Sequence, residues 1–162
     1  MARTRFQLAH EIAFFLPAAL MAGALLSQYW GGLFPCEMCH WQRWPHYTAI
    51  GLAGFGFFVP PPARRLLVAL AALAIAASGA IGVFHAGVEY HWWNGITACA
   101  SNITGSGGSA QDMLARIMGA PIIRCDVAQW SLFGISLAGF NAIFSLGGAV
   151  TILWLMVQDR RR

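Results

Sequence analysis

Charged side chains are scarce in this sequence. Asp, Glu, Lys and Arg together make 10% of 162 residues, against 58% hydrophobic. A soluble domain averages about 25% charged and about 45–50% apolar residues. A soluble fold of this length must cover its surface with polar groups, and here there are too few. The same shortage excludes a disordered chain, which needs low hydrophobicity and high charge, and a coiled coil, which needs charged flanks beside its seam. Lysine is missing altogether, so the positive complement is ten arginines. Also missing are a nucleotide-binding glycine motif, an HExxH pair and a Ser–His–Asp pattern. What remains is a membrane protein of about one domain's length.

The few charges are clustered. Uncharged runs of 25, 20, 23 and 32 residues separate Glu11 from Glu37, Arg43 from Arg64, Arg65 from Glu89 and Asp126 from Asp159. A bilayer core about 30 Å thick needs about 20 apolar helical residues. The expected architecture is therefore all-α: a single four-helix transmembrane bundle with spans near 12–30, 43–59, 66–88 and 132–156. A fifth uncharged run, 90–111, is rich in Gly, Ser, Asn and Thr and reads as loop. The second span is the weakest, with Pro45 and His46 at one end and Pro60-Pro61-Pro62 stopping it at the other. Pro17 should kink the first. Glycines and serines at 51, 54, 56, 78, 79, 82, 139, 147 and 148 permit close helix approach. Asn141 reads as a buried polar group joining helices. Tyr29-Trp30, with Trp92 and Trp93, looks like an interfacial aromatic belt.

Arginine counts orient the bundle. With four spans, both termini share a side with the middle loop. That side carries Arg3, Arg5, Arg64, Arg65, Arg160, Arg161 and Arg162, and the other carries Arg43, Arg116 and Arg124. Arginine-rich loops stay cytoplasmic, so the segments near 31–42 and 89–131 should lie outside. The excess of arginine thus reflects topology and does not argue for nucleic acid. A cleaved signal peptide ending near Ala22-Gly23-Ala24 is the rival reading of the N-terminus. The apolar run continues to Tyr29-Trp30, which disfavours it.

All four cysteines, Cys36, Cys39, Cys99 and Cys125, fall in these two outer segments. Two in each suggests two disulfides in an oxidising compartment. Cys36 and Cys39 form a C-x-x-C, a small ring that exchanges readily and often has a lowered thiol pKa. Cys99 and Cys125 lie 26 residues apart across a Gly/Ser-rich stretch that could reach a partner. Plain structural staples are one alternative. A four-thiolate zinc site is another, disfavoured because the C-x-x-C is not repeated; no metal is expected. Cys39 should lie near a helix N-terminus, where the dipole stabilises a thiolate. Arg43 shares its face only if the helix already includes Cys39. Pro45 would then lie in the second turn and should kink the helix; a later start would weaken the shared-face argument. Arg43 could equally snorkel to lipid phosphate.

These residues resemble a known family. PCEMCHWQR at 35–43 is similar to the signature of the bacterial disulfide bond formation proteins called DsbB. Gly82 to Glu89 resembles the end of that family's third helix, Cys99 and Cys125 match its second cysteine pair, and Cys125 to Asn141 resembles the approach to its fourth helix. The resemblance implies a quinone-linked thiol oxidase in the bacterial inner membrane. It re-oxidises a periplasmic DsbA-like thioredoxin-fold protein and passes electrons to ubiquinone or menaquinone. Carried over, Cys99–Cys125 takes electrons from the partner, Cys36–Cys39 re-oxidises that pair, and Cys39 reduces the quinone beside Arg43. His85 matches a family histidine near the same site, although a lone histidine at a helix end is often only interfacial. A DsbA-type oxidant sits at about −120 mV, so thiol exchange alone would regenerate it poorly and a quinone sink is needed.

Two other functions compete. One is an oxidoreductase resembling the vitamin K epoxide reductase group, whose C-x-x-C adjoins a late helix of the bundle, unlike here. The other is a non-catalytic membrane protein with structural disulfides. Asp112 to Met118 has the spacing of a short amphipathic helix on the membrane surface. Asn102-Ile103-Thr104 is a glycosylation sequon expected to be unused in a bacterium.

Overall fold

The computed structural model describes residues 4–96 and 124–160. Among them are four helices: α1 (Arg5–Tyr29), α2 (Glu37–Gly56), α3 (Pro61–Glu89) and α4 (Leu137–Arg160). A short antiparallel hairpin, β1 (Ser131–Leu132) and β2 (Ile135–Ser136), precedes α4. The protein is an all-α membrane bundle, and α1, α3 and α4 are each long and apolar enough to cross a bilayer. Cys99, the sequon and the segment 112–118 lie outside the described residues.

Local chemistry sets the helix ends. Thr4 caps α1 with a reciprocal capping box to Gln7, at 3.1 Å and 2.9 Å. α1 continues through Pro17 and α2 through Pro45. α2 starts at Glu37, six residues before the expected span. Helix starts follow backbone hydrogen bonding, whereas hydropathy registers only where the polar first turns end. Past Gly56, Arg64 Nε donates to the Gly56 carbonyl at 2.9 Å. Pro60 is the N-cap of α3, with Pro61 and Pro62 in its first turn, where a missing N–H costs nothing. The fourth helix begins at Leu137, later than the expected 132. Residues 131–136 instead pair across a turn in which Phe133 and Gly134 both have positive φ, 53° and 78°, as a two-residue hairpin turn requires.

α3 packs against α2 and α4, and α1 closes the bundle against α2 and α4. Small residues allow this: a Cβ on Gly82 would lie 3.0 Å from the Ala138 carbonyl. Gly51 and Gly147 face open space, so not every small residue in the spans serves packing. Phe15, Phe55, Phe58, Leu66, Val150 and Trp154 are exposed on the outer surface, an apolar exterior suited to lipid. At the end bearing both termini, Arg65 pairs with Asp159 at 2.5 Å, and the Phe6 N–H donates to Asp159 at 3.3 Å. Cys36, Cys39 and Cys125 lie at the opposite end.

Candidate functional site

Cys36 is the N-cap of α2. Its sulfur accepts the Cys39 backbone N–H at 3.3 Å, and the two sulfurs are 2.9 Å apart as free thiols. The i,i+3 geometry of a first helical turn brings them together. Cys36 is buried and Cys39 half-buried. The Cys36 thiol donates to Cys39, which together with burial pushes Cys36 above the usual thiol range. The same hydrogen bond holds Cys39 below that range, and nearby Arg43 acts in the same direction. Cys39 is thus the better thiolate of the pair.

Because α2 includes Cys39, Arg43 does lie one turn further on the same face. Its guanidinium is tied inward to α1, to Gln28 Oε1 at 2.6 Å and the Ala24 carbonyl at 3.3 Å. This places it in the wall of a cavity of 240 Å³, where Cys39, Gln42, His85 and Glu89 supply further polar groups. Leu20, Met21 and Ala24 of α1 give the cavity an apolar wall, and Trp130 and Phe140 also line it. The position bears on the snorkelling alternative, since the charged head points into the bundle.

Behind the thiols runs a buried polar network. His85, 2% exposed, has Nε2 3.5 Å from Cys36 Sγ and Nδ1 2.7 Å from Gln42 Nε2. Gln42 Oε1 accepts from Asn141 Nδ2 at 2.8 Å. Asn141 Oδ1 meets His46 Nε2 and Ser145 Oγ, each at 2.9 Å. Asn141 therefore joins α4 to α2 and, through Ser78, to α3. His46 Nδ1 is buried with no hydrogen-bond partner among the described residues. The donor atoms of Cys36, Cys39 and His85 lie within 4.8 Å of one another, close enough to hold a metal ion.

The second cysteine segment folds onto the first. Cys125 is buried in one cluster with Cys36, Met38 and Val88. Gln129 Nε2 donates to the Phe34 carbonyl at 2.5 Å. Glu89, at the end of α3, accepts from Ser136 Oγ beside the hairpin. Arg124 holds the Asp126 carboxyl down at about 2.

Five of the six expected site residues are thus brought to one end of the bundle: Cys36, Cys39, Arg43, His85 and Cys125. Sequence reasoning missed Gln42, His46 and Glu89. A signal for the first two existed, since Met38, Gln42, His46, Ala49 and Ala53 are a buried stripe on α2. A glutamine and a histidine on such a stripe in an apolar bundle mark an inward polar face.

The profile of the family Disulfide bond formation protein DsbB matches residues 7–155. A curated relative, Disulfide bond formation protein B of Stutzerimonas stutzeri (strain A1501), is 26% identical over 156 residues. That match covers 91% of this chain and 92% of the relative. No solved structure matches the chain.

Proposed function

This chain belongs to the DsbB family of disulfide bond formation proteins, and from that premise we propose that it is a membrane thiol oxidase coupling a DsbA-like thioredoxin-fold protein to a membrane quinone. The observation that carries the reading is Cys39, the more acidic thiol, in the wall of a cavity that also holds Arg43.

The exchange proceeds through sulfur alone. The partner's thiolate attacks Cys99 of Cys99–Cys125, the S–S bond breaks, and its electron pair leaves on Cys125. Cys125 then attacks Cys36 of Cys36–Cys39. A Cys125–Cys36 bond forms, and the electron pair leaves on Cys39. A low pKa makes Cys39 a good leaving group. The second partner thiolate releases Cys99, which attacks Cys125 and expels Cys36 as thiolate. The net result is a partner disulfide, a restored Cys99–Cys125, and two electrons on the Cys36–Cys39 pair.

When bound, a quinone would supply the two-electron, two-proton oxidant that returns Cys36–Cys39 to the disulfide. The residues present fit such a group. The α1 wall is apolar, as a prenylated ring needs, and the Arg43 guanidinium offers donors to a carbonyl oxygen. Seven arginines against three favour cytoplasmic termini and an outward-facing thiol end in a bacterial inner membrane.

The test is quinone reduction by the purified protein in detergent with a reduced thioredoxin-fold partner. One quinone should be consumed per partner disulfide formed, and Cys39→Ser should abolish consumption. No quinone consumption by folded protein would sink the reading.

A further inference from the structure

A buried amide, that of Gln42, fixes the proton on the buried His85. Gln42 Nε2 lies 3.2 Å from the Met38 carbonyl and 2.7 Å from His85 Nδ1. A backbone carbonyl only accepts, so the amide nitrogen belongs on that side. Asn141 is anchored independently. Its Nδ2 faces the Ser78 carbonyl at 3.2 Å and Gln42 Oε1 at 2.8 Å. Turning Gln42 over would set its oxygen against the Met38 carbonyl and its nitrogen against the Asn141 nitrogen. With Gln42 Nε2 donating, His85 Nδ1 accepts, and the neutral ring carries its proton on Nε2. The surroundings of Nε2 agree, for they are acceptors: Cys36 Sγ at 3.5 Å and Glu89 Oε1 at 3.7 Å.

We propose that Gln42 is a positioning residue that holds His85 as the Nε2–H tautomer, and so keeps the Cys36–Cys39–His85 cluster a hydrogen-bonded thiol site closed to metal ions. Two thiolates, an imidazole and the adjacent Glu89 carboxylate are otherwise a donor set that zinc accepts. A metal needs the Nε2 lone pair, together with an acceptor for a proton on Nδ1. Gln42 presents an N–H at that position. Admitting a metal therefore means turning Gln42 and losing its bonds to Met38 and Asn141. The His85 Nε2–H that results faces Cys36 Sγ at 3.5 Å and stabilises Cys36 when it leaves as thiolate. The benefit rests on the proposed redox role of Cys36–Cys39, because a metal-bound dithiolate is withheld from disulfide exchange.

The test uses the full chain in detergent, reduced, without quinone or partner. Nitrogen-15 NMR of labelled histidine should show a pyridine-type Nδ1 and a pyrrole-type Nε2 for the ring that disappears in His85→Phe. The reverse assignment overturns the proposal. A Co²⁺ titration then compares Gln42→Glu with the unaltered protein. The carboxylate keeps the acceptor for Asn141 and adds one for a proton on Nδ1. Gln42→Glu should develop the thiolate–Co²⁺ absorption band at Co²⁺ concentrations at least about tenfold lower, the usual size of an outer-shell effect. Equal affinity overturns the proposal. Should Gln42→Glu not fold, the tautomer in the unaltered protein decides alone. Neither measurement involves quinone, so failure of the quinone assay counts only against the proposed function.

Discussion

Cys36 and Cys125 are buried in one cluster, although one caps α2 and the other precedes the hairpin before α4. In the proposed exchange, electrons cross from one cysteine segment to the other at this point. With Cys39 and Cys99 both changed to serine, mild oxidation should join Cys36 to Cys125. Peptide mapping without reductant checks this. Free thiols or only intermolecular bridges would mean that the two segments do not meet in this way.

Arg43 is held by two neutral acceptors on α1, which leaves its charge available to the cavity. Arg43→Lys keeps the charge but loses the planar fork. It should raise the apparent KM for quinone, with thiol exchange between Cys99–Cys125 and the partner nearly unchanged. Arg43→Ala should be worse. Losing a hydrogen bond to a charged group costs about 1.5–3 kcal/mol, about ten- to a hundredfold in KM. Steady-state quinone reduction decides, and unchanged KM in both variants would return Arg43 to a structural role.

The lowered pKa of Cys39 has a pH signature. Its largest cause is the hydrogen bond from Cys36. In the reduced protein the rate of Cys39 alkylation should rise with pH at a midpoint below that of an ordinary thiol. Cys36→Ala removes the donor and should move the midpoint up; Cys36→Ser keeps a hydroxyl donor and should move it less. Mass spectrometry of Cys39 peptides after timed alkylation gives the profile. A midpoint indifferent to Cys36 would contradict the assignment.

Asn141→Ala strands Gln42 Oε1 in the bundle interior and leaves His46 Nε2 to Ser78 Oγ, at 2.9 Å. An unsatisfied buried polar group costs about 1–3 kcal/mol, and bonds between membrane helices are worth about 0.6 kcal/mol on average. Asn141→Ala should therefore lower Tm in detergent measurably. Ser145→Ala removes one donor while Asn141 Oδ1 keeps His46, so its effect should be smaller. Equal effects would show that the amide is not the hub.

The orientation is tested at exposed positions, because Cys36 and Cys125 are too buried for fair labelling. Phe133 in the hairpin is 93% exposed and Phe58 in the α2–α3 turn is 85% exposed. In a cysteine-free background, Phe133→Cys should react with a membrane-impermeant thiol reagent on intact spheroplasts. Phe58→Cys should react only after lysis. The opposite pattern inverts the bundle.

Much of the site was legible because its chemistry is local. Cys36, Cys39 and Arg43 share one helical turn or the next, and i,i+3 and i,i+4 spacing places them wherever the helix runs. The open point was the start of that helix. The polar residues before Arg43 hide it from hydropathy, while Cys36 supplies the cap that hydropathy cannot register. The late start of α4 was hidden for the converse reason: Leu132 to Ile135 is uncharged, and only the Phe133-Gly134 turn keeps it out of the helix.

By itself, the sequence determined the medium, the helical class and the cysteine chemistry. Each depends on composition or on neighbours in the chain: too little charge for water, uncharged runs long enough for a bilayer, and a C-x-x-C at a helix start. Only the tertiary structure decided which helix faces meet. Gln42 acquires its role from Met38 on its own helix, His85 on α3 and Asn141 on α4. Cys125 reaches Cys36 because the hairpin and Glu89 hold its segment over the bundle's end. Such contacts depend on the rotation of each helix about its axis, and close packing at positions like Gly82 sets that rotation, where no local pattern specifies it.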